Sequence, residues 1–167
     1  MSLSEHTLEG EDLHPIDIVE SLAEHHEWEF DRVGDDQIAM VVEGQWKTYS
    51  ITLAWSGHDE MLRMIVTFEM EPPETRRAEL MEALNAANDM CWAGAFSYWE
   101  EPKLMVYKYG LVLAGGQMAT TDQITSLISN AVAATERFYP AFQLVTWGEE
   151  PVDNAMQVAI AEAYGRA

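Results

Sequence analysis

The chain has 167 residues, long enough for one domain that buries roughly two-thirds of the surface its unfolded form exposes. A hydrophobic share of 48%, with ten Met, six Trp and six Tyr, supplies core material and argues against global disorder. Nine basic against 29 acidic residues give a net charge of −20, which repels phosphate backbones and anionic lipid and so excludes nucleic acid and membrane surfaces as expected partners.

The acidity is uneven. Residues 1–29 carry nine Asp or Glu and no Lys or Arg, which reads as a solvated negative face rather than a docking one. Residues 1–13 read as a mobile acidic arm and 14–167 as a single α+β domain. Cys91 is the only cysteine, so no intramolecular disulfide forms. The first residues lack a basic start and an apolar block, and no apolar run reaches the roughly 18 residues of a membrane span. The expected location is the cytoplasm.

In chain order, His14-Pro15 marks a helix entrance, with proline where its missing N–H costs nothing. Ile16, Val19 and Ala23 give that helix its apolar face, ending near Glu27. Strands are expected at Trp28–Val33, Gln37–Glu43, Trp46–Trp55 and Met61–Met70, separated by the turns Gly34-Asp35-Asp36, Gly44-Gln45 and Ser56-Gly57-His58-Asp59. Tyr49, Ile51, Leu53 and Trp55 fall on one side of the pleat, as do Leu62, Met64, Val66 and Phe68, so these strands read as an antiparallel meander. Pro72-Pro73 stops it. A second helix carries Leu80, Leu84, Ala87 and Cys91 and ends at Gly94. Ala95–Glu100 and Lys103–Leu113 read as a further hairpin. Thr120 and Gln123 have the spacing of a capping box, opening a helix whose stripe from Ile124 to Tyr139 stops before Pro140. A last helix is expected from Pro151 through Tyr164. The resulting order is α-β-β-β-β-α-β-β-α-α, an antiparallel β-sheet flanked by helices.

No constellation of catalytic, cofactor-binding or metal-ligating residues is recognisable in the sequence, so no catalytic residue, cofactor or metal is expected. His25 and His26 are adjacent on a helix and point about 100° apart, unlike a chelating i, i+4 pair. The five histidines therefore read as exposed and structurally idle. Cys91 lies on an apolar stripe, where a lone thiol behaves as a small hydrophobe. Ala114-Gly115-Gly116 lacks the Gly-Lys-Ser/Thr ending of a phosphate loop. The paired acids Asp35-Asp36, Glu100-Glu101 and Glu149-Glu150 stand beside turns and lack the burial that an acid catalyst needs. Asn85 and Asn88, one helical turn apart, suit hydrogen bonding to the main chain of the following strand.

The aromatic surplus on the strands is the remaining clue. Trp46, Trp55, Tyr98, Trp99, Tyr107 and Tyr109 cannot all face one small core, because alternation sends Tyr98 and Trp99 to opposite faces. These six form the candidate interaction surface, suited to an apolar segment of another chain or to a second copy in a homodimer.

Leu84-Asn85-Ala86-Ala87-Asn88, Gly94-Ala95-Phe96, Val106-Tyr107-Lys108 and Phe138-Tyr139-Pro140-Ala141-Phe142, with Gly148 and Pro151, resemble the YbjN-like family of bacterial sensory transduction regulators. The element order is similar to the type III secretion chaperone-like fold. The resemblance covers about residues 14–160 and leaves the acidic arm outside it. It implies a bacterial, cytoplasmic, non-enzymatic regulatory or chaperone-like protein that binds a protein partner and often self-associates, and it offers no catalytic residues. The alternative is a small-molecule-binding sensor domain with its pocket between the sheet and the helix Thr120–Tyr139.

Overall fold

The computed structural model describes residues 14–165, with side chains as far as residue 161. The acidic arm expected at 1–13, with His6, lies outside the described residues. Within them the chain forms α1 (Pro15–His25), β1 (Glu29–Arg32), β2 (Gln37–Glu43), β3 (Thr48–Ser56), β4 (Met61–Glu69), α2 (Arg77–Asp89), β5 (Ala95–Trp99), β6 (Leu104–Val112), α3 (Thr121–Thr146) and α4 (Val152–Gly165). A single 3-10 turn at Glu74–Arg76 leads into α2. This is the α+β order expected from the sequence.

All strands join one antiparallel sheet in the order β1-β2-β3-β4-β6-β5. Its register sets Met40 beside Ile51, Ile51 beside Val66, Val66 beside Tyr107 and Tyr107 beside Phe96. Because side chains alternate along a strand, that row fixes one face of the whole sheet. Ile38, Tyr49, Leu53, Leu62, Met64, Phe68 and Met105 lie on the same face and are buried.

The helices pack on that face. Phe138 and Phe142 of α3 meet the Phe96 ring edge-on at 5.7 and 5.1 Å, and Tyr139 meets Phe68 at 5.4 Å. Edge-to-face contacts of this kind add to the burial of large rings. Helix α4 packs on α3 and α2, behind the first helical layer. Arg76 donates to the carbonyls of Val145 at 2.8 Å and Glu150 at 2.7 Å, placing a cation where the carbonyl end of α3 is negative.

One expected boundary is corrected. Helix α3 does not stop before Pro140 but runs through it for 26 residues. An interior proline costs on the order of 3 kcal/mol, from one lost hydrogen bond and a clash with the carbonyl four residues back. Beyond it, Ala141, Phe142, Val145 and Thr146 are all buried, and that packing outweighs the penalty. The N-terminal capping box at Thr120 and Gln123 is present as expected.

His14 needs a second correction, because it is not idle. Its Nδ1 accepts the Ile16 N–H at 3.1 Å, capping α1, and its Nε2 lies 2.9 Å from Asp36. Helix α1 ends at His25, and Glu27 takes a left-handed φ of 58° that lets the Trp28 N–H reach the Ala23 carbonyl at 2.9 Å.

Candidate functional site

The other face of the sheet carries, in successive rows, Ala39, Thr52, Ile65, Lys108 and Ala95, then Val41, Ser50, Thr67, Val106 and Ser97. Among the described residues no helix covers it. The β-branched residues that favour strands also leave this face half apolar. Val106 is fully buried between its strand neighbours, Ile65 and Leu104 are half-buried, and Val41, Trp99 and Val112 are exposed.

Two concavities shape the face. One of about 620 Å³ lies over Met61, Arg63, Ile65, Ala95, Trp99 and Lys108. The other, of about 700 Å³, runs past Trp46, Lys47, Thr48, Thr67, Glu69 and Leu104. Arg63 pairs with Asp59, whereas Lys108 makes no ion pair among the described residues. The face therefore holds an unpaired cation on β6, towards the β5 edge, and acids, Glu29 and Asp31, on β1 at the opposite edge.

The hairpin tip beside the second concavity is held from behind. Glu136, buried on α3, accepts the hydroxyl of Tyr49 and the backbone N–H of Gln45, the latter at 2.9 Å. A Cβ at Gly44 would collide with the Glu136 carboxylate, so glycine is what allows the turn to approach the helix. Burial, then the Glu136 bond, push the Tyr49 phenol far up, so it stays protonated and donates.

The six aromatic residues singled out from the sequence do not form one surface. Trp99 lies exposed on the open face and Trp46 is exposed on the hairpin tip. Tyr107 is a core residue whose hydroxyl donates to the Ala93 carbonyl at 2.8 Å. Tyr98 sits on the helix-covered face and donates to the Met70 carbonyl at 2.8 Å. Trp55 is half-buried on that face too, edge-on to His14 at 6.2 Å. Tyr109, also half-buried, lines a recess of about 370 Å³ between β6 and α3, with Leu111, Leu127, Asp122, Gln123, Ser126 and Asn130 around it.

Residues not singled out complete the picture. Trp92 is 100% exposed in the loop before β5, and Ile65, Leu104 and Val112 supply apolar surface on the open face. Trp92 was legible as a large apolar residue trapped between a helix end and Gly94. The small branched residues give no such signal, since only register shows which face they share.

Chemically the described residues offer binding surface. Among them no three His, Cys, Asp or Glu side chains are grouped to hold a metal. Cys91 is half-buried and burial pushes its thiol up, away from the reactive thiolate. Ser56 and Asp59 bond to each other at 3.3 Å within the turn, and Asp59 also holds Arg63.

Comparison with known proteins bears on the whole fold. No curated protein matches the chain. The crystal structure of YbjN, "a putative transcription regulator from E. coli", superposes with a TM-score of 0.53 at 11% identity, covering 91% of this chain and 94% of that one. The structure of the HopA1-SchA chaperone-effector complex is a further match, with a TM-score of 0.48 and 13% identity over 70% of this chain and 85% of that one. A family model described as "Putative bacterial sensory transduction regulator" matches residues 15–144. That span takes in the entire sheet and most of α3, so the chain belongs to the YbjN family.

Proposed function

We propose that this chain is a non-enzymatic regulatory domain that binds another protein through the helix-free face of its sheet. The observation that carries this reading is the one-sided placement of the helices. A six-stranded sheet with apolar residues on both faces has only one of them covered among the described residues. Contiguous apolar surface with a polar rim marks an interaction site more often than it marks ordinary exterior. The family description, which names a regulator, fits such a role. A lone cysteine suits a reducing compartment, and the cytoplasm is where we place the activity.

The test is site-resolved photo-crosslinking. A photoreactive residue is placed at Ile65 or Trp99 on the open face, and at Gln157 on the exposed side of α4. In native lysate the first two positions give one discrete adduct and Gln157 gives none. Equal labelling from all three, or none from the sheet, contradicts the reading.

The recess between β6 and α3 favours a second reading, a small-molecule sensor. It has an apolar floor in Leu111 and Leu127 and a polar rim in Gln123, Ser126 and Asn130, the composition of a ligand site. A metabolite at 100 times its Kd would stabilise the fold by about 2.7 kcal/mol. Thermal-shift screening detects that, and a screen with no shift removes this reading while leaving the first intact.

A further inference from the structure

Among the described residues the end of β6 is an unpaired stretch of strand edge, and it lies between the recess beside α3 and the concavity of about 620 Å³ on the open face. Strand β5 pairs with β6 only from Leu104 to Lys108, so β6 continues past the start of β5 with no strand beside it. The Leu113 N–H reaches the Glu60 carbonyl at 2.8 Å on the β4 side, and the Lys103 carbonyl accepts the Met70 N–H at 3.1 Å on that same side. Odd-numbered residues of β6 thus bond towards β4, and even-numbered ones bond away from it. The N–H and C=O of Gly110 and Val112 therefore point out of the sheet, with no hydrogen-bond partner among the described residues.

The other edges are managed. On β5 the Asn88 side chain takes up both outward groups of Phe96. Strand β1 is four residues long, with Glu29, Asp31 and Arg32 on it. Short, charged or capped edges resist adding a strand; the free end of β6 is as short as β1 but carries neither a charged side chain nor a cap.

Room for a strand exists there. Gly94, with φ 137°, closes against Tyr107 and the Lys108 carbonyl where the pairing of β5 with β6 ends, and the cavities on either face border Tyr109, Gly110 and Leu111 beyond it. A segment lying antiparallel to Gly110–Val112 would send alternate side chains to opposite faces. One goes into the recess lined by Tyr109, Leu111 and Leu127, and the flanking ones go over Met61 and Lys108 on the open face. Ala93 lines the recess, and its chain neighbour Trp92 is wholly exposed. Exposed tryptophans of this kind are frequent anchors of binding energy.

Resting on the protein-binding reading above, we propose that the free edge of β6 at Gly110–Val112 takes up an extended apolar segment of a basic partner protein as an added strand. The net charge of −20 selects the occupant. Like charge opposes a second copy of this chain at close range, whereas lysines or arginines flanking the segment are drawn in. Main-chain hydrogen bonds supply affinity, and the large apolar residue in the recess supplies specificity.

Val112→Pro tests this without touching the sheet, since the N–H it removes faces the empty edge and proline is tolerated there. The probe is an array of nonapeptides with three alternating apolar residues between terminal lysines. The full chain binds members of the array, and binding slows amide exchange at Gly110 and Val112. V112P keeps the wild-type circular dichroism and Tm but binds at least tenfold more weakly, while Val112→Thr binds as wild type. Trp92→Ala weakens binding severalfold. Full binding by V112P, or no array member bound by the wild type, overturns the assignment. If Thr67→Glu abolishes binding and V112P does not, docking on the open face survives and the edge is wrong. A dimer that V112P dissociates shows that the occupant is a second copy and overturns the choice of partner.

Discussion

The Asn88 side chain completes the outer edge of β5 as a neighbouring strand would. Its carbonyl accepts the Phe96 N–H at 2.6 Å and its amide donates to the Phe96 carbonyl at 3.0 Å. Asn88→Ala leaves both groups without partners beside a buried ring, at a cost of about 2–3 kcal/mol. Urea denaturation should show a lower midpoint at unchanged m-value. The freed edge should also raise the aggregation rate of the folded protein, read by light scattering. An unchanged midpoint would mean that water replaces the amide fully.

Glu136 links the β2–β3 hairpin to α3 through Tyr49 and Gln45. Glu136→Ala orphans the buried Tyr49 hydroxyl and should destabilise by about 1–3 kcal/mol. Amide exchange at Gln45 should speed up in the same variant, because that N–H loses its acceptor. Gly44→Ala should be comparably damaging through collision with the same carboxylate. Wild-type exchange at Gln45 in Glu136→Ala would refute the clamp.

Burial holds two phenols protonated in the fold. Tyr107 is pushed up to about 12, chiefly by desolvation, and Tyr49 is raised further by burial and its bond to Glu136. In the unfolded chain both ionise near pH 10. Above that pH the unfolded state binds fewer protons than the native one, so stability falls as pH rises. The contribution is complete below about pH 10 and declines as pH climbs towards 12. Urea midpoints measured from pH 8 to 12 should fall over that window, and Tyr107→Phe should flatten the fall. A flat profile in the wild type would contradict the buried, protonated phenols.

Pro140 interrupts the hydrogen-bond ladder of α3, leaving the Glu136 carbonyl without its usual donor four residues on. Restoring an N–H with Pro140→Ala should stabilise the protein by about 1 kcal/mol or more, read as a higher urea midpoint. A lower midpoint would show that the proline shapes the helix for its packing.

Much of the fold was legible because its signals are local. Alternation at Tyr49–Leu53 and Leu62–Phe68 named the covered face, and Thr120 with Gln123 named the start of α3. Asn88 was read correctly as a bond to the next strand, whereas Asn85 is exposed and makes no such bond. The passage of α3 through Pro140 was not legible, since the burial of Phe142 and Val145 that sustains it comes from β5 and distant helices. Interaction residues were harder still. Tyr107 and Trp99 look equally available in the sequence, and only the register separates a core ring from an exposed one. The free edge of β6 depends on where β5 begins, which no property of Gly110 or Val112 alone reveals.

The central claim is that the sheet face opposite the helices is occupied by another protein in the cell. It is tested most directly by the hydrodynamic size of the tagged chain in unfractionated lysate, at natural abundance, against a Thr67→Glu variant with unchanged Tm. The wild type should migrate well above its 18.9 kDa, and the variant should fall to the size of the free chain. Wild type and variant migrating together, at either size, would contradict it.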